Sequence, residues 1–174
     1  MAETLEPLIP ADVLQARIGE LAQVLDESIH GEPVILVGVL KGSFHFLSDL
    51  SRRMMSDSRI DFIQTSSYQG GKSSSGIVQI RKDLDTNIEG RNVIIVEDIV
   101  DTGVTLNHLR DLLCTRKPKS FQVVSLLNKA GARVVQTQIE HIGFDIPNEF
   151  VVGYGLDYEE RFRNLPYIAI LREG

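Results

Sequence analysis

The sequence predicts an α/β fold in which a central, mainly parallel sheet is flanked by helices. Two strand–turn–helix units, over residues 33–54 and 92–116, carry this prediction, because such units set consecutive strands parallel through right-handed crossovers. Length and composition agree: 174 residues, of which 43% are hydrophobic and 24% charged, are ordinary for one globular domain. We therefore expect residues 1–174 to form a single domain.

The first half of the chain follows this pattern element by element. Apolar residues recur at helical spacing from Leu14 to Leu25 and predict a helix with one apolar face over about Ala11–Ser28. The uninterrupted apolar run Pro33–Leu40 is typical of a strand buried on both faces of a parallel sheet. A tight turn follows, and the apolar residues between Phe44 and Met54 predict a second helix.

The same pattern recurs in the second half. Val93–Val96 predicts a buried strand, residues 98–104 a turn, and Leu106, Leu109 and Leu113 the apolar side of a helix. The remaining apolar segments are predicted to be strands: 121–127, 139–145, 150–154 and 167–171.

A polar segment separates two further predicted strands, Ile60–Tyr68 and Ile77–Ile80. Residues Gln69–Gly76 contain little that could anchor them, so we expect a long mobile loop there. Loops of this kind are uncommon in a compact domain and often close over an active site as a lid. An idle solvent-exposed loop is the alternative interpretation.

The strongest indication of function is the segment VEDIVDTGVT at residues 96–105. Glu97 and Asp98 lie near the carboxyl end of a buried strand, where open α/β sheets bind their ligands. The following turn offers backbone N–H groups and the hydroxyls of Thr102 and Thr105 to a phosphate. The two carboxylates would repel a phosphate but suit ribose hydroxyls or Mg²⁺, so the segment predicts a sugar phosphate site.

Ordinary helix capping is the alternative interpretation of this segment. Asp101 or Thr102 could cap the helix, with Glu97 and Asp98 as solvated acids. Capping alone, however, does not require two carboxylates at the end of a strand, so the sugar phosphate site is favoured.

VEDIVDTGVT resembles the ribose-phosphate signature of type I phosphoribosyltransferases, and its Asp101 resembles the branch of that family that acts on 6-oxopurines. Other segments agree in order: LVGVLKGSFHFLSDL resembles the pyrophosphate loop, SSY at 66–68 the start of the lid, SLLNK the base-reading strand, and FVVGYGLDYEERFRNLPYIAIL a small C-terminal hood. The resemblance covers about residues 33–171. One departure is Val104, where the family often has a polar or basic residue.

The resemblance implies a Mg²⁺-dependent enzyme that transfers a 5-phosphoribosyl group from 5-phosphoribosyl 1-pyrophosphate to a 6-oxopurine. It implies that phosphoribosyl pyrophosphate binds to Lys41, Gly42, Glu97, Asp98, Asp101, Thr102, Gly103, Val104, Thr105 and Arg163. It further implies purine contacts from Lys129, Phe150, Val151 and Asp157, metal binding by Glu97, Asp98 and Asp157, and a lid that starts at Ser67 and Tyr68. In this family the peptide that matches Leu40–Lys41 can be cis, and the subunits form dimers or tetramers.

Two of these residues have roles that chemistry explains directly. A purine base loses a ring proton when it joins the sugar, and the Asp101 carboxylate is the candidate general base that accepts it. The Lys129 ammonium would donate a hydrogen bond to a 6-oxo oxygen but would have no partner on the amino group of adenine. Each residue also has a non-functional interpretation. Lys129 could be a surface lysine, Phe150 a core residue, and Arg163 one more solvated charge.

Charge and cysteine content exclude several classes. The formal net charge of −6, with no run of Lys or Arg longer than two, argues against a nucleic-acid partner. Cys114 is the only cysteine, so no intramolecular disulfide can form. We expect it on the apolar side of its helix, as a core residue rather than a nucleophile. No apolar run is long enough to span a membrane and the first residues do not resemble an export signal, so a cytoplasmic location is expected.

Two other classes of function stay open at this point. A regulator that keeps the same fold but binds RNA should have a basic face, which the acidic balance disfavours. A nucleotide-binding subunit without turnover would have no reason to keep both a proton acceptor and a lid.

Overall fold

The computed structural model describes residues 3–67 and 78–172. The elements are β1 (Thr4–Ile9), α1 (Ala11–Ser28), β2 (Val34–Leu40), α2 (Phe44–Ser51), β3 (Ser58–Ser67), β4 (Val78–Lys82), β5 (Asn92–Val100), α3 (Val104–Cys114), β6 (Ser120–Asn128), β7 (His141–Asp145), β8 (Val151–Val152) and β9 (Ile168–Arg172), with one 3-10 turn at Ala130–Ala132. Six strands form a sheet in the order β4-β3-β2-β5-β6-β7. Every pair in it is parallel except β3 with β4, which confirms the predicted fold class.

Two apolar cores lie on opposite faces of this sheet. Leu36 and Ile94 pack in the core that contains α1 and α2, whereas Ile35 and Val37 pack in the core that contains α3. Because successive side chains of a strand point to opposite faces, both cores need apolar residues from the same strand. This requirement explains why β2 is buried without a break from Val34 to Val39.

A second sheet, β1-β9-β8, is antiparallel and contains the C-terminal strand predicted for the hood. The sequence does not predict β1, because Pro7 interrupts it and half of its residues are exposed. The strand is held by its register with β9, in which Thr4 lies opposite Arg172 and Ile9 opposite Ile168. Because β9 lies at the other end of the chain, a local sequence pattern does not reveal this pairing.

Several boundaries differ from the sequence predictions. Strand β5 continues through Val100, so Asp98 belongs to the strand and the turn is shorter than predicted. The predicted strand 150–154 is reduced to β8. Cys114 is exposed, so its predicted place in the core is wrong. It follows the last buried residue of α3, Leu113, by one position, and one helical residue turns about 100° away from the apolar side. Within residues 3–67 and 78–172, no helix is long and apolar enough to cross a membrane.

Candidate active site

A cavity of about 280 Å³ opens at the carboxyl edge of the parallel sheet, between β2, β5 and the segment that follows β8. Of the residues expected to bind phosphoribosyl pyrophosphate, all but Val104 line it: Lys41, Gly42, Glu97, Asp98, Asp101, Thr102, Gly103, Thr105 and Arg163. Asp157 lines it as well. These residues come from three separate segments of the chain, which only the fold brings together.

The turn between β5 and α3 has a shape that favours glycine at its centre. Gly103 has φ 84°, in the left-handed region, and directly precedes α3. A Cβ atom at this position would lie 2.0 Å from Thr137 Oγ1. The Val104 N–H donates to Thr102 Oγ1 at 3.4 Å, and the Asp101 carboxylate accepts from the Thr102 N–H at 2.5 Å. Asp101 is exposed and therefore accessible from the cavity.

The loop that follows β6 holds this turn by hydrogen bonds. The Thr102 carbonyl oxygen accepts hydrogen bonds from the backbone N–H groups of Val134 and Val135, at 3.0 and 3.2 Å. The Asn107 side chain of α3 donates to the Gln136 carbonyl oxygen at 2.8 Å. The turn is thus fixed by the loop that follows β6.

Glu97 and Asp98 are two acids at one end of β5, and burial raises the pKa of both. Burial raises the pKa of Glu97 well above its usual value, and the charges of Asp98 and Asp101 raise it further. Burial also raises the pKa of Asp98 to about 6, although backbone N–H donors and the charge of Arg163 oppose this shift. The site therefore contains more acidic groups than its buried position readily allows to ionise, and a bound cation would relieve that excess.

The loop after β2 packs tightly against both the acids and the segment that follows β8. The peptide bond between Leu40 and Lys41 is cis. A Cβ atom on Gly42 would lie 1.6 Å from Asp98 Oδ2, and a Cβ atom on Gly155 would lie 2.0 Å from the Gly42 carbonyl oxygen. Only glycine fits these two close approaches without displacing a neighbour.

Two cations and two acids form a connected group at the mouth of the cavity. Arg163 Nη2 lies 2.9 Å from Asp157 Oδ1, and its Nη1 donates to the Gly155 carbonyl oxygen at 2.7 Å. Glu160 Oε2 lies 3.2 Å from Arg163 Nη2, and both Glu160 oxygens lie 3.1 Å from Lys41 Nζ. Sequence reasoning did not single out Glu160, because the ion pair with Lys41 joins residues far apart in the chain.

The remaining predicted purine residues lie outside the cavity wall. Lys129 follows β6, and its backbone N–H donates to the Val100 carbonyl oxygen at 3.0 Å, which ties it to the strand that carries the acids. Phe150 is 51% exposed and meets the Tyr158 ring edge-on at 5.8 Å between centroids, so the interpretation of Phe150 as a core residue is wrong. Val151 is buried in β8.

One polar residue of the cavity wall, Thr65, was missed by sequence reasoning. It lies near the carboxyl end of β3, which runs parallel to β2. A polar residue at that end of a neighbouring strand was the available signal. The predicted strands on either side of the lid do pair, with Ser67 opposite Val78. The Ser67 side chain, Tyr68 and the predicted lid Gln69–Gly76 lie outside the described residues.

The acids suit Mg²⁺ better than a metal that needs a complete set of protein ligands. Across the described part of the chain, no three His, Cys, Asp or Glu side chains converge to hold a metal by themselves. Mg²⁺ is usually bound by one or two carboxylates, with waters and substrate phosphates as its other ligands. Glu97, Asp98 and Asp157 offer oxygen donors of this kind.

The fold and this cavity together define a class. The family model of the phosphoribosyl transferase domain matches residues 11–159. The chain belongs to the phosphoribosyltransferase family.

Individual relatives narrow the comparison. The chain is 47% identical over 171 residues to the hypoxanthine phosphoribosyltransferase of Escherichia coli, with 97% of this chain and 96% of that protein covered. It is 50% identical over 165 residues to the bifunctional protein TilS/HprT of Listeria monocytogenes, where it spans 95% of its own length but only 26% of the relative. A crystal structure of a hypoxanthine-guanine phosphoribosyltransferase from Bacillus anthracis superimposes with a TM-score of 0.91 at 43% identity, over 98% of this chain and 100% of that one.

Proposed function

We propose that the chain transfers the 5-phosphoribosyl group of 5-phosphoribosyl 1-pyrophosphate to hypoxanthine and guanine, which yields the nucleoside monophosphate and pyrophosphate. The observation that carries this proposal is the cavity at the carboxyl edge of the sheet, which combines the turn at Asp101–Thr105, the acids of β5, and the cations Lys41 and Arg163. The names of the similar proteins indicate the same substrates.

The turn before α3 would bind the 5-phosphate. Thr102 and Thr105 line the cavity at the N-terminus of α3, where the backbone N–H groups carry partial positive charge. Gly103 keeps the backbone accessible, since it has no side chain above the turn.

Asp157 would hold a second Mg²⁺ through water, whereas Glu97 and Asp98 would hold Mg²⁺ next to the ribose hydroxyls. When bound, this cation supplies positive charge to the pyrophosphate. Its presence would also favour ionised Glu97 and Asp98, whose pKa values burial raises in the free protein.

The bond that breaks joins the anomeric carbon of the ribose to a pyrophosphate oxygen, and the leaving pyrophosphate keeps the electron pair. Negative charge grows on that group, and the cations Arg163 and Lys41 line the cavity where it would lie. The Lys41 and Gly42 backbone would complete the contact with the pyrophosphate.

The purine supplies the electron pair for the new bond and loses a ring proton, which the exposed Asp101 carboxylate would accept. Lys129 would donate to the 6-oxo oxygen, Phe150 would stack on the ring, and the Val151 carbonyl oxygen would accept from the base edge. Phe150 is half exposed, so a base could reach its ring.

We also propose that residues 1–174 act as one domain that self-associates into a dimer or tetramer in the cytoplasm. Sedimentation of the purified chain measures the oligomer directly, and a monomer at micromolar concentration would contradict this part of the proposal.

The direct test is an assay of the purified protein with phosphoribosyl pyrophosphate, Mg²⁺ and hypoxanthine, guanine, xanthine, adenine or uracil in turn. We expect nucleotide formation from hypoxanthine and guanine, and none after chelation with EDTA. If no base gives a nucleotide, the proposal is wrong and one of the non-catalytic classes, RNA-binding regulator or nucleotide-binding subunit, takes its place.

A further inference from the structure

The Glu160 carboxylate forms ion pairs with Lys41 and Arg163, the two cations that would bind pyrophosphate in the proposed function. Both of its oxygens lie 3.1 Å from Lys41 Nζ, and its Oε2 lies 3.2 Å from Arg163 Nη2 and 3.4 Å from Arg163 Nε. Lys41 and Arg163 line the cavity, whereas Glu160 stands outside the lining. One carboxylate therefore bridges the loop after β2 and the segment after β8 across the mouth of the site.

The backbone around Glu160 is held in an uncommon conformation. Glu159, Glu160 and Phe162 have φ values of 51°, 62° and 72°, a region that residues other than glycine rarely occupy. The Glu160 N–H donates to Asp157 Oδ2 at 2.9 Å, which ties this turn to an acid of the cavity wall. Strained backbone of this kind persists only where neighbouring contacts fix it, and it concentrates at functional sites.

The negative charge of Glu160 sets it in competition with an anionic ligand of Lys41 and Arg163. An anionic pyrophosphate that binds Lys41 and Arg163 would meet the Glu160 carboxylate at the same donors. Glu160 and a bound pyrophosphate would draw on N–H donors of the same two cations, and like charges repel, so the two anions compete for Lys41 and Arg163.

We propose that Glu160 is an internal competitor of pyrophosphate: it holds Lys41 and Arg163 in place in the free protein and opposes retention of the bound anion. This role rests on the proposed function. Glu160 is a positioning residue, since it acts through the two cations. The same competition favours release of the pyrophosphate product and return to the bridged state.

The test compares wild type with Glu160→Gln and Glu159→Gln, by isothermal titration with inorganic pyrophosphate and Mg²⁺. Glu160→Gln keeps the shape of the side chain but removes its charge. Glu159 is the matched control, because it is an acid on the same turn that makes none of these contacts with Lys41 or Arg163. We expect Glu160→Gln to lower the pyrophosphate Kd about two- to fivefold, a factor typical of an exposed ion pair, and Glu159→Gln to leave it within experimental error.

Tighter binding separates this role from a merely structural one, since a loosened turn would weaken binding. Unchanged or weaker binding by Glu160→Gln, or equal tightening by both variants, would overturn the role of Glu160 while the proposed function stands. If wild type does not bind pyrophosphate, the proposed function and this role are both wrong.

Discussion

The close contact between Gly103 and Thr137 makes Gly103→Ala a sharp test of how the phosphate turn is built. An alanine would have to adopt φ 84°, and left-handed backbone costs a residue with a side chain about 1–2 kcal/mol. Its Cβ would lie 2.0 Å from Thr137 Oγ1, and relief of such an overlap costs about 1–3 kcal/mol more. We therefore expect the free energy of unfolding to fall by about 2–5 kcal/mol.

The double variant Gly103→Ala/Thr137→Ala separates the two contributions. Without Oγ1 the most severe overlap is removed, while Thr137 Cβ and the Val135 carbonyl oxygen would still lie 3.0 and 3.1 Å from the new Cβ. The loss from Gly103→Ala should therefore fall toward the backbone cost of about 1–2 kcal/mol. The chain has no Trp, so unfolding in urea is best followed by circular dichroism at one fixed protein concentration. The same loss from Gly103→Ala in both backgrounds would refute the steric part of the argument.

Three further changes address the proton acceptor, base selectivity and the hood. Asp101→Asn keeps an acceptor for the Thr102 N–H but cannot take a proton, so kcat should fall about 10²- to 10⁴-fold while the Kd of phosphoribosyl pyrophosphate changes little; an unchanged kcat would remove Asp101 as the base. Lys129→Ala should reduce the ratio of kcat/KM for hypoxanthine over adenine about 10- to 100-fold, since a charged hydrogen bond contributes about 1.5–3 kcal/mol; an unaltered ratio would contradict its role. Tyr154→Phe removes the hydroxyl that donates to Asp49 Oδ2 at 2.5 Å and should cost about 1–3 kcal/mol of stability at neutral pH. Burial opposes ionisation of Asp49, yet hydrogen bonds led by that of Tyr154 hold the pKa of Asp49 below its ordinary value. The stability that the Tyr154–Asp49 hydrogen bond contributes is therefore present above about pH 4 and is lost as the pH falls through the lowered pKa. A difference between wild type and Tyr154→Phe that does not narrow in acid would refute the linkage.

Local patterns predicted the elements that depend on local sequence. Helix α1 has the predicted bounds, Ala11–Ser28, because its apolar residues form one stripe. The segment after β5 was recognised because its acids, hydroxyls and glycine are contiguous in the chain.

Features that depend on distant partners could not be predicted in this way. Strand β1 needs β9, Thr65 reaches the cavity only because β3 lies beside β2, and Glu160 meets Lys41 across more than half of the chain. The support of Thr102 by the loop after β6 is another such contact. Each arises from the way strands and loops that are distant in the chain come together in the fold, which a linear pattern of apolar residues leaves undetermined.

The central claim is that the turn after β5 binds the phosphate of a sugar that β5 holds by its acids. A crystal structure of the protein with Mg²⁺ and inosine monophosphate tests it most directly. We predict that the phosphate accepts hydrogen bonds from the backbone of residues 102–105 and that the ribose hydroxyls face Glu97 and Asp98. A nucleotide bound elsewhere, with this turn empty, would contradict the account.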